Sequence, residues 1–327
     1  MNTKSKSTLR IYGCGGLGVN AINNVDIPSD SAGFPDTVYS LIDTSKSNIQ
    51  PKSNKGDIFL IPGVDGSGKD RAFTHSVAVP HINSIFLKHP PADFNIVIFG
   101  LSGGSGSVLG PLIVEELINR GKPVVILSVI STASSRETTN AYNTIGTLQN
   151  LSTKKLGRPI AGLFYENNNE TNRQEVDRNI DIDLRSLAML ASGTNEELDS
   201  QDIFKWLNYD KNSKVAPQIV DIIIHLNGKD GELPIELAAI SVASLLTSKE
   251  DNIVDLGQTY SCVGYYPEAA LTATRHETPS TYFIITNQLM GNRITNLQAA
   301  IDKYKKAEAA IQNTQIQTFG DGDDFIF

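Results

Sequence analysis

Two glycine-dense turns constrain this chain more than any other feature: GCGGLG at 13–18 and SGGSGS at 102–107. The first follows the apolar run Leu9–Tyr12 and opens a helical stretch at 17–24; the second follows Asn95–Phe99 and opens one at 106–120. Small residues between a strand and a helix let backbone N–H groups approach a phosphate, and the helix N-terminus adds a favourable dipole. One such loop is ambiguous. Gly13, Gly15 and Gly18 fit the GxGxxG dinucleotide fingerprint, and Asp43 follows the next strand where a ribose-binding acid would sit. Alone, the loop does not choose between nicotinamide, flavin, adenylate and guanylate ligands, and a tight turn with no ligand is the bland alternative. The second loop changes the reading, because two loops at one sheet edge can enclose a triphosphate from two sides.

A third stretch, GVDGSGK at 63–69, satisfies GxxxxGK. Asp70 stands where a P-loop needs Ser or Thr to hold magnesium, and an acid there faces phosphates with the wrong sign. The stretch reads instead as a phosphate-flanking loop with Gly66, Ser67, Gly68 and Lys69 as contacts.

Around these loops, strands are expected at Leu9–Tyr12, Val38–Ile42, Ile58–Ile61, Asn95–Phe99, Val124–Val129 and Ile160–Tyr165, with helices at 17–24, 106–120 and 137–151. Such alternation implies a parallel sheet covered on both faces. In the stretch 172–192, Val176, Ile180, Leu184, Leu187 and Ala191 recur on one helical face. From 215 onward, strands at Ile219–Leu226, Gln258–Tyr266 and Thr281–Thr286 and helices near 236–246 and 291–312 make a second α/β unit without a glycine fingerprint. The last helix carries Leu297, Ile301, Tyr304 and Ile311 on one stripe and is expected to pack on that unit.

The chain has 327 residues, room for two domains, and a net charge of −8, which argues against a nucleic-acid or anionic-membrane partner. Lys303, Lys305 and Lys306 read as a solvated helix face. No apolar run approaches the ~18 residues of a membrane span, and the N-terminus does not read as a secretory signal. Two cysteines, Cys14 and Cys262, are too few for a disulfide scaffold or zinc site and fit a reducing cytoplasm.

Ser102–Ser107 resembles the signature loop of the tubulin/FtsZ superfamily, a small residue followed by Gly-Gly-Thr-Gly and Ser or Ala, with Ser105 in place of threonine. Val108 replaces the last glycine, and the continuation SVLGPLI is similar to phage tubulins. The resemblance implies a tubulin/FtsZ-like α/β fold: a Rossmann-type GTP-binding domain (1–172), a long central helix (173–195), an acid-pair loop and helix (196–214), a smaller α/β domain (215–315) and an acidic tail (316–327). It also implies GTP or GDP held by Gly15, Gly16, Leu17, Asn20 and Asp43, by Gly66–Lys69, and by Ser102, Gly103, Gly104, Ser105, Gly106 and Ser107. Glu137 corresponds to the family's ribose-binding acid, and Asn167, with Asn168 and Asn169 as alternatives, to its asparagine after the sixth strand. Arg173 and Asp177 stand where the family stacks on the base and reads guanine. A guanidinium can stack on a base, and an ionised Asp, being acceptor-only, can take both N1–H and N2–H of guanine.

The run NEELDSQDIFKW carries Asp199 and Asp202, whose spacing lets both carboxylates face one side of a turn or new helix. An ordinary N-capping acid is the bland reading. In the superfamily such a pair enters the next subunit's nucleotide pocket, one acid orienting water and the other acting as base or polarising it through the metal. Glu197 stands where FtsZ has asparagine. The resemblance thus implies an assembly-dependent GTPase with Mg2+ held mainly by phosphates and water. It implies head-to-tail filaments in the cytoplasm of an infected bacterium that centre the viral DNA compartment, with Asp321, Asp323, Asp324, Phe325 and Phe327 of the tail meeting a neighbouring subunit. Two competing readings are an NAD- or ATP-dependent enzyme built on GCGGLG and Asp43, and an inactive structural protein of tubulin fold.

Overall fold

The computed structural model describes residues 5–49, 55–167, 171–227, 237–251, 253–273 and 279–312. The apolar runs of the first half form β1 (Thr8–Cys14), β2 (Asp36–Asp43), β3 (Asp57–Leu60), β4 (Phe94–Gly100), β5 (Val124–Ser131) and β6 (Ile160–Asn167). They pair in parallel in the order β3-β2-β1-β4-β5-β6. The order reverses between β1 and β4, and that reversal opens a crevice beyond the carboxyl ends of the strands. Every residue of β4 is buried, as a strand covered on both faces requires. Ile96 and Ile98 enter one core while Val97 and Phe99 enter the other, the two-residue period of a pleated strand.

Helices α1 (Gly15–Asn24), α2 (Arg71–Ala78), α3 (Ile82–Lys88), α4 (Gly106–Asn119), α5 (Ser135–Asn150), α6 (Arg173–Leu190) and α7 (Ser200–Leu207) divide between the faces. Val19 and Ile22 of α1, Ile180 and Leu184 of α6, and Trp206 of α7 fill one side; Ile85 of α3, Leu109 and Ile113 of α4, and Ile145 of α5 fill the other. The central helix α6 starts at Asn172, whose side chain accepts from Glu175 N at 3.1 Å. Its five apolar-face residues, Val176 to Ala191, are all buried.

The second half supplies β7 (Ile219–Leu226), β8 (Ser241–Leu246), β9 (Tyr260–Tyr265), α8 (Glu268–Ala273), β10 (Thr281–Thr286) and α9 (Met290–Gln312). Ile160–Gly162 of β6 pair in parallel with Ile219–Asp221 of β7, so the ten strands among the described residues share one sheet, continuing as β7-β10-β8-β9. Two expectations are corrected here. Residues 241–246 form β8, where a helix near 236–246 was expected. SVASLL is buried at every position, and a short run with no polar face carries no period to separate buried strand from helix. Helix α9 packs on α5 of the first half. Tyr304 Oη donates to Thr132 O at 2.7 Å, Leu297 joins the α4–α5 core, and Ile311 leaves the stripe at 73% exposure. No helix among the described residues is long and apolar enough to cross a membrane.

Candidate nucleotide site and acid pair

The three glycine stretches meet at the carboxyl edge of the sheet. Gly15 has φ +69°, and a Cβ there would lie 2.5 Å from Gly106 N, so the first two loops are in backbone contact. A Cβ on Gly104 would strike the Ser67 side chain and lie 2.8 Å from Lys69 Cα, which brings the third loop against the second. Above Gly66, Gly68 and Gly103 the space is open, with nothing within 4 Å of an added Cβ.

The serine hydroxyls of the second loop point inward. Ser102 Oγ donates to Ser131 O and accepts from Ser131 N, each at 2.8 Å. Ser105 Oγ bonds Thr44 Oγ1 at 2.6 Å, and Ser107 Oγ donates to Gly104 O at 3.2 Å. These side chains brace the loop, which leaves the backbone N–H groups as its offering to an anion. Helices α1 and α4 both begin without a side-chain cap, whereas α2, α5, α6 and α7 are capped by Asp70, Ser134, Asn172 and Asp199. The two uncapped helix starts that follow glycine loops therefore keep the N–H groups that a phosphate would satisfy. Asp70, the residue that spoils the P-loop pattern, accepts from Phe73 N at 3.0 Å as the cap of α2.

Asp43 lies against the second loop, with the Ser105 side chain among its hydrogen-bond partners. It is 1% exposed and accepts from Asn48 Nδ2 at 3.0 Å and Thr44 N at 2.7 Å. Burial raises its pKa, against the lowering effect of those hydrogen bonds. Lys69 and Glu137 meet each other: Nζ lies 2.5 Å from Oε1, and Glu137 Oε2 accepts from Ser131 Oγ at 3.0 Å. Lys69 holds φ +59°, a conformation that costs a side-chain-bearing residue ~1–2 kcal/mol. Its carbonyl accepts from Arg136 Nε at 3.2 Å and Asn140 Nδ2 at 3.1 Å, and Asn140 Nδ2 also reaches Ser102 O at 3.3 Å. Asn140, Thr44, Asn48 and Ser131 were not among the residues expected from sequence. Asn140 lies one helical turn beyond Glu137, the one signal that pointed to it.

Beside the loops, Leu17, Asn20, Val129, Asn167, Arg173, Val176 and Asp177 line a cleft of about 250 Å³. This brings the base-recognition candidates together from α1, β6 and α6. Arg173 Nε faces Asp177 Oδ2 at 3.8 Å. Asn168 and Asn169 lie outside the described residues.

Asp199 and Asp202 lie at the other edge of the sheet. Asp199 caps α7, accepting from Gln201 N at 2.8 Å and Asp202 N at 3.0 Å, while Asp202 Oδ2 accepts from Asp199 N at 3.2 Å. The Asp202 backbone N–H, first among several donors, lowers the Asp199 pKa, so its carboxylate stays charged through neutral pH. Tyr260 Oη donates to Asp202 Oδ1 at 3.3 Å. Glu197, at φ +58°, pairs with Lys249 at 2.8 Å. A small hollow beside Asp199 is lined by Ser7, Asp93, Phe94 and Pro123, residues at or just before the starts of β1, β4 and β5. The glycine loops leave the opposite ends of β1 and β4. A seven-residue strand at about 3.3 Å per residue separates the edges by roughly 20 Å. No side chain spans that gap.

Residues 198–286 match the family described as phage tubulin-like protein, C-terminal domain. Over 242 residues the chain is 31% identical to the phage tubulin-like protein of Pseudomonas phage PhiPA3, covering 74% of this chain and 73% of that one. The chain belongs to the phage tubulin-like proteins. This phage tubulin-like protein superposes on the phage tubulin PhuZ with GDP at a TM-score of 0.84 and 25% identity, covering 98% and 97% of the two chains. It shares the fold of the TubZ protofilament of bacteriophage PhiKZ at a TM-score of 0.80 and 24% identity, with 96% of each chain covered. The tubulin/FtsZ-like architecture expected from the signature loop is therefore the fold of this phage tubulin-like chain.

Proposed function

We propose that this chain binds GTP in the crevice above its glycine loops, assembles head to tail with copies of itself, and hydrolyses the nucleotide at the junction between subunits. One observation carries the reading: the phosphate loops and the acid pair occupy opposite edges of one sheet, roughly 20 Å apart. A second copy stacked along the sheet axis brings its Asp199 and Asp202 to the first copy's triphosphate. Membership of the phage tubulin-like proteins, the GDP in PhuZ and the PhiKZ protofilament support it.

Within this reading the backbone of Ser102–Ser107 and the starts of α1 and α4 hold the phosphates, and Lys69 adds a cation. Glu137 takes the ribose, Asp177 and Asn167 read the base edge, and Arg173 stacks on it. Asp199 and Asp202 orient and deprotonate water in the neighbouring pocket. A magnesium ion would neutralise phosphate charge, with phosphate oxygens and water as its ligands. Among the described residues no cluster of three or more His, Cys, Asp or Glu is gathered to hold it. Residues 1–172 form the nucleotide domain, 173–195 the central helix, 196–214 the acid-pair segment and 215–315 the second domain. The tail 316–327, outside the described residues, contacts a neighbouring subunit and draws strands together. The polymer works in the cytoplasm of the infected bacterium and positions viral DNA. The dinucleotide alternative leaves the second glycine loop without a role.

Light scattering with GTP, GDP or NADH, read alongside phosphate release, tests the proposal. GTP should trigger scattering that decays as phosphate accumulates. Assembly indifferent to nucleotide, or an absorbance change with NADH, would refute it.

A further inference from the structure

The carboxyl end of β6 carries Asn167 to the base cleft, yet on its β7 side it has no strand partner among the described residues. The β6–β7 ladder runs only from Ile160↔Ile219 to Gly162↔Asp221, whereas pairing with β5 continues to Ser131↔Asn167. Arg293, in the first turn of α9, occupies the gap. Its Nε and Nη2 donate to Asp221 Oδ1 at 3.2 and 3.1 Å, its Nη1 donates to Glu166 Oε1 at 3.2 Å, and its guanidinium sits 5.7 Å from the Phe164 ring centre. The Arg293 side chain is 18% exposed and that of Asp221 2%, so water competes little for that pair, whereas Glu166, at 39%, meets Arg293 partly in solvent.

Asn167 is also the wall between two clefts. It lines the base cleft and a second hollow of about 160 Å³ whose other side is Arg293, Asn296, Leu297 and Ala300 of α9. One turn further on, Ala300 is followed by Tyr304, which fastens α9 to Thr132 at the end of β5. The C-terminal helix is thereby fixed to the ends of both strands that frame the base side of the cleft.

We propose that Arg293 is a positioning residue for base recognition: by bridging Asp221 to Glu166 it replaces the missing ladder and holds Asn167 against the base cleft. Base selectivity then depends on how α9 is seated, so a force reaching α9 from the residues that follow it reaches the nucleotide. This rests on the guanine-nucleotide reading above. Arg293 itself is a poor first target, because its loss leaves the buried Asp221 carboxylate unpaired. Glu166 is the better one, since its replacement keeps the Arg293–Asp221 pair.

The readout is the ratio of the ADP to the GDP dissociation constant for the full chain, measured by titration with each nucleotide. Glu166→Ala should lower that ratio about threefold, the equivalent of one partly solvent-screened ion pair. Glu166→Gln, which still accepts from Arg293, should restore most of it, and the pair Arg293→Met with Asp221→Asn should behave like Glu166→Ala. A merely structural role would shift the melting temperature and leave the ratio unchanged. If the parent protein prefers GDP and Glu166→Ala keeps the full preference, the positioning role is wrong while the nucleotide reading stands. If the parent shows no preference for GDP, the nucleotide reading falls and takes this inference with it.

Discussion

Replacing Asp199 with asparagine removes a charge and keeps an N-cap. The carboxylate accepts two backbone N–H bonds at the start of α7, and asparagine caps as well as aspartate, whereas alanine costs typically ~1 kcal/mol. Losing the negative charge beside the helix dipole adds about 0.3–1 kcal/mol. Asp199→Asn should therefore destabilise the fold by less than ~1 kcal/mol, and Asp199→Ala by about 1–2 kcal/mol. In a chain of this size such losses move the melting temperature by only a few degrees, about 2–4 °C per kcal/mol. If the same carboxylate serves a neighbour's triphosphate, asparagine cannot take a proton from water, and turnover should fall about 10²–10⁴-fold. Nucleotide affinity should hold, because the phosphate loops lie on the far edge of the sheet. Phosphate release at saturating GTP, thermal melts and GDP titration on the parent, Asn and Ala forms separate the two jobs. If Asp199→Asn turns over at the parent rate while Asp199→Ala does not, the residue is a cap and nothing more, and the assignment fails.

Three further outcomes follow from the same structure. Deleting residues 316–327 should raise the critical concentration for assembly or abolish assembly at physiological salt; unchanged polymer yield in a pelleting assay would count against the tail. Gly104→Ala should weaken GDP binding by at least about tenfold, or ~1.4 kcal/mol, because its methyl displaces Ser67 and the Lys69 backbone; calorimetry showing parent affinity would contradict the loop packing. His89 is fully buried, neither ring nitrogen has a partner among the described residues, and burial pushes its pKa from 6.5 to about 4. Between those values the unfolded chain takes a proton that the folded chain refuses, so its contribution is complete above pH 6.5 and declines as pH falls towards 4. The lost stability amounts to at most ~3 kcal/mol. Urea midpoints against pH should show this acid slope in the parent, and a shallower one in His89→Leu; identical slopes would show that His89 is not the group responsible.

The parts of the fold announced by local chemistry were legible in the sequence. Each glycine loop sits between an apolar strand and a helix, so GCGGLG and SGGSGS locate the crevice from local sequence alone. The period of Val176, Ile180, Leu184 and Leu187 located the central helix. Contacts between distant segments were not legible. Thr44 meets Ser105 across 61 residues, and Lys69 meets Glu137 across 68; no local pattern encodes such pairs. The burial of Asp43 was hidden for a similar reason, since a strand-end acid looks the same from sequence whether it is open to solvent or bonded to Asn48. SVASLL misled because a segment buried on all sides has no amphipathic period. Arg293 in α9 is separated from Glu166 by 127 residues, and only the sheet brings them together.

Mixing two disabled proteins tests the shared active centre most directly. One partner carries Asp199→Asn and Asp202→Asn with an intact nucleotide cleft; the other carries Gly104→Ala with intact acids. At a GTP concentration near the parent dissociation constant, where the Gly104→Ala cleft stays mostly empty, each alone should release little phosphate. Combined in equal amounts above the assembly concentration, they should recover a substantial fraction of parent turnover, since the second protein's acids reach the first protein's nucleotide. No recovery in mixtures shown by sedimentation to co-assemble, or parent-level turnover by either protein alone, would contradict the account.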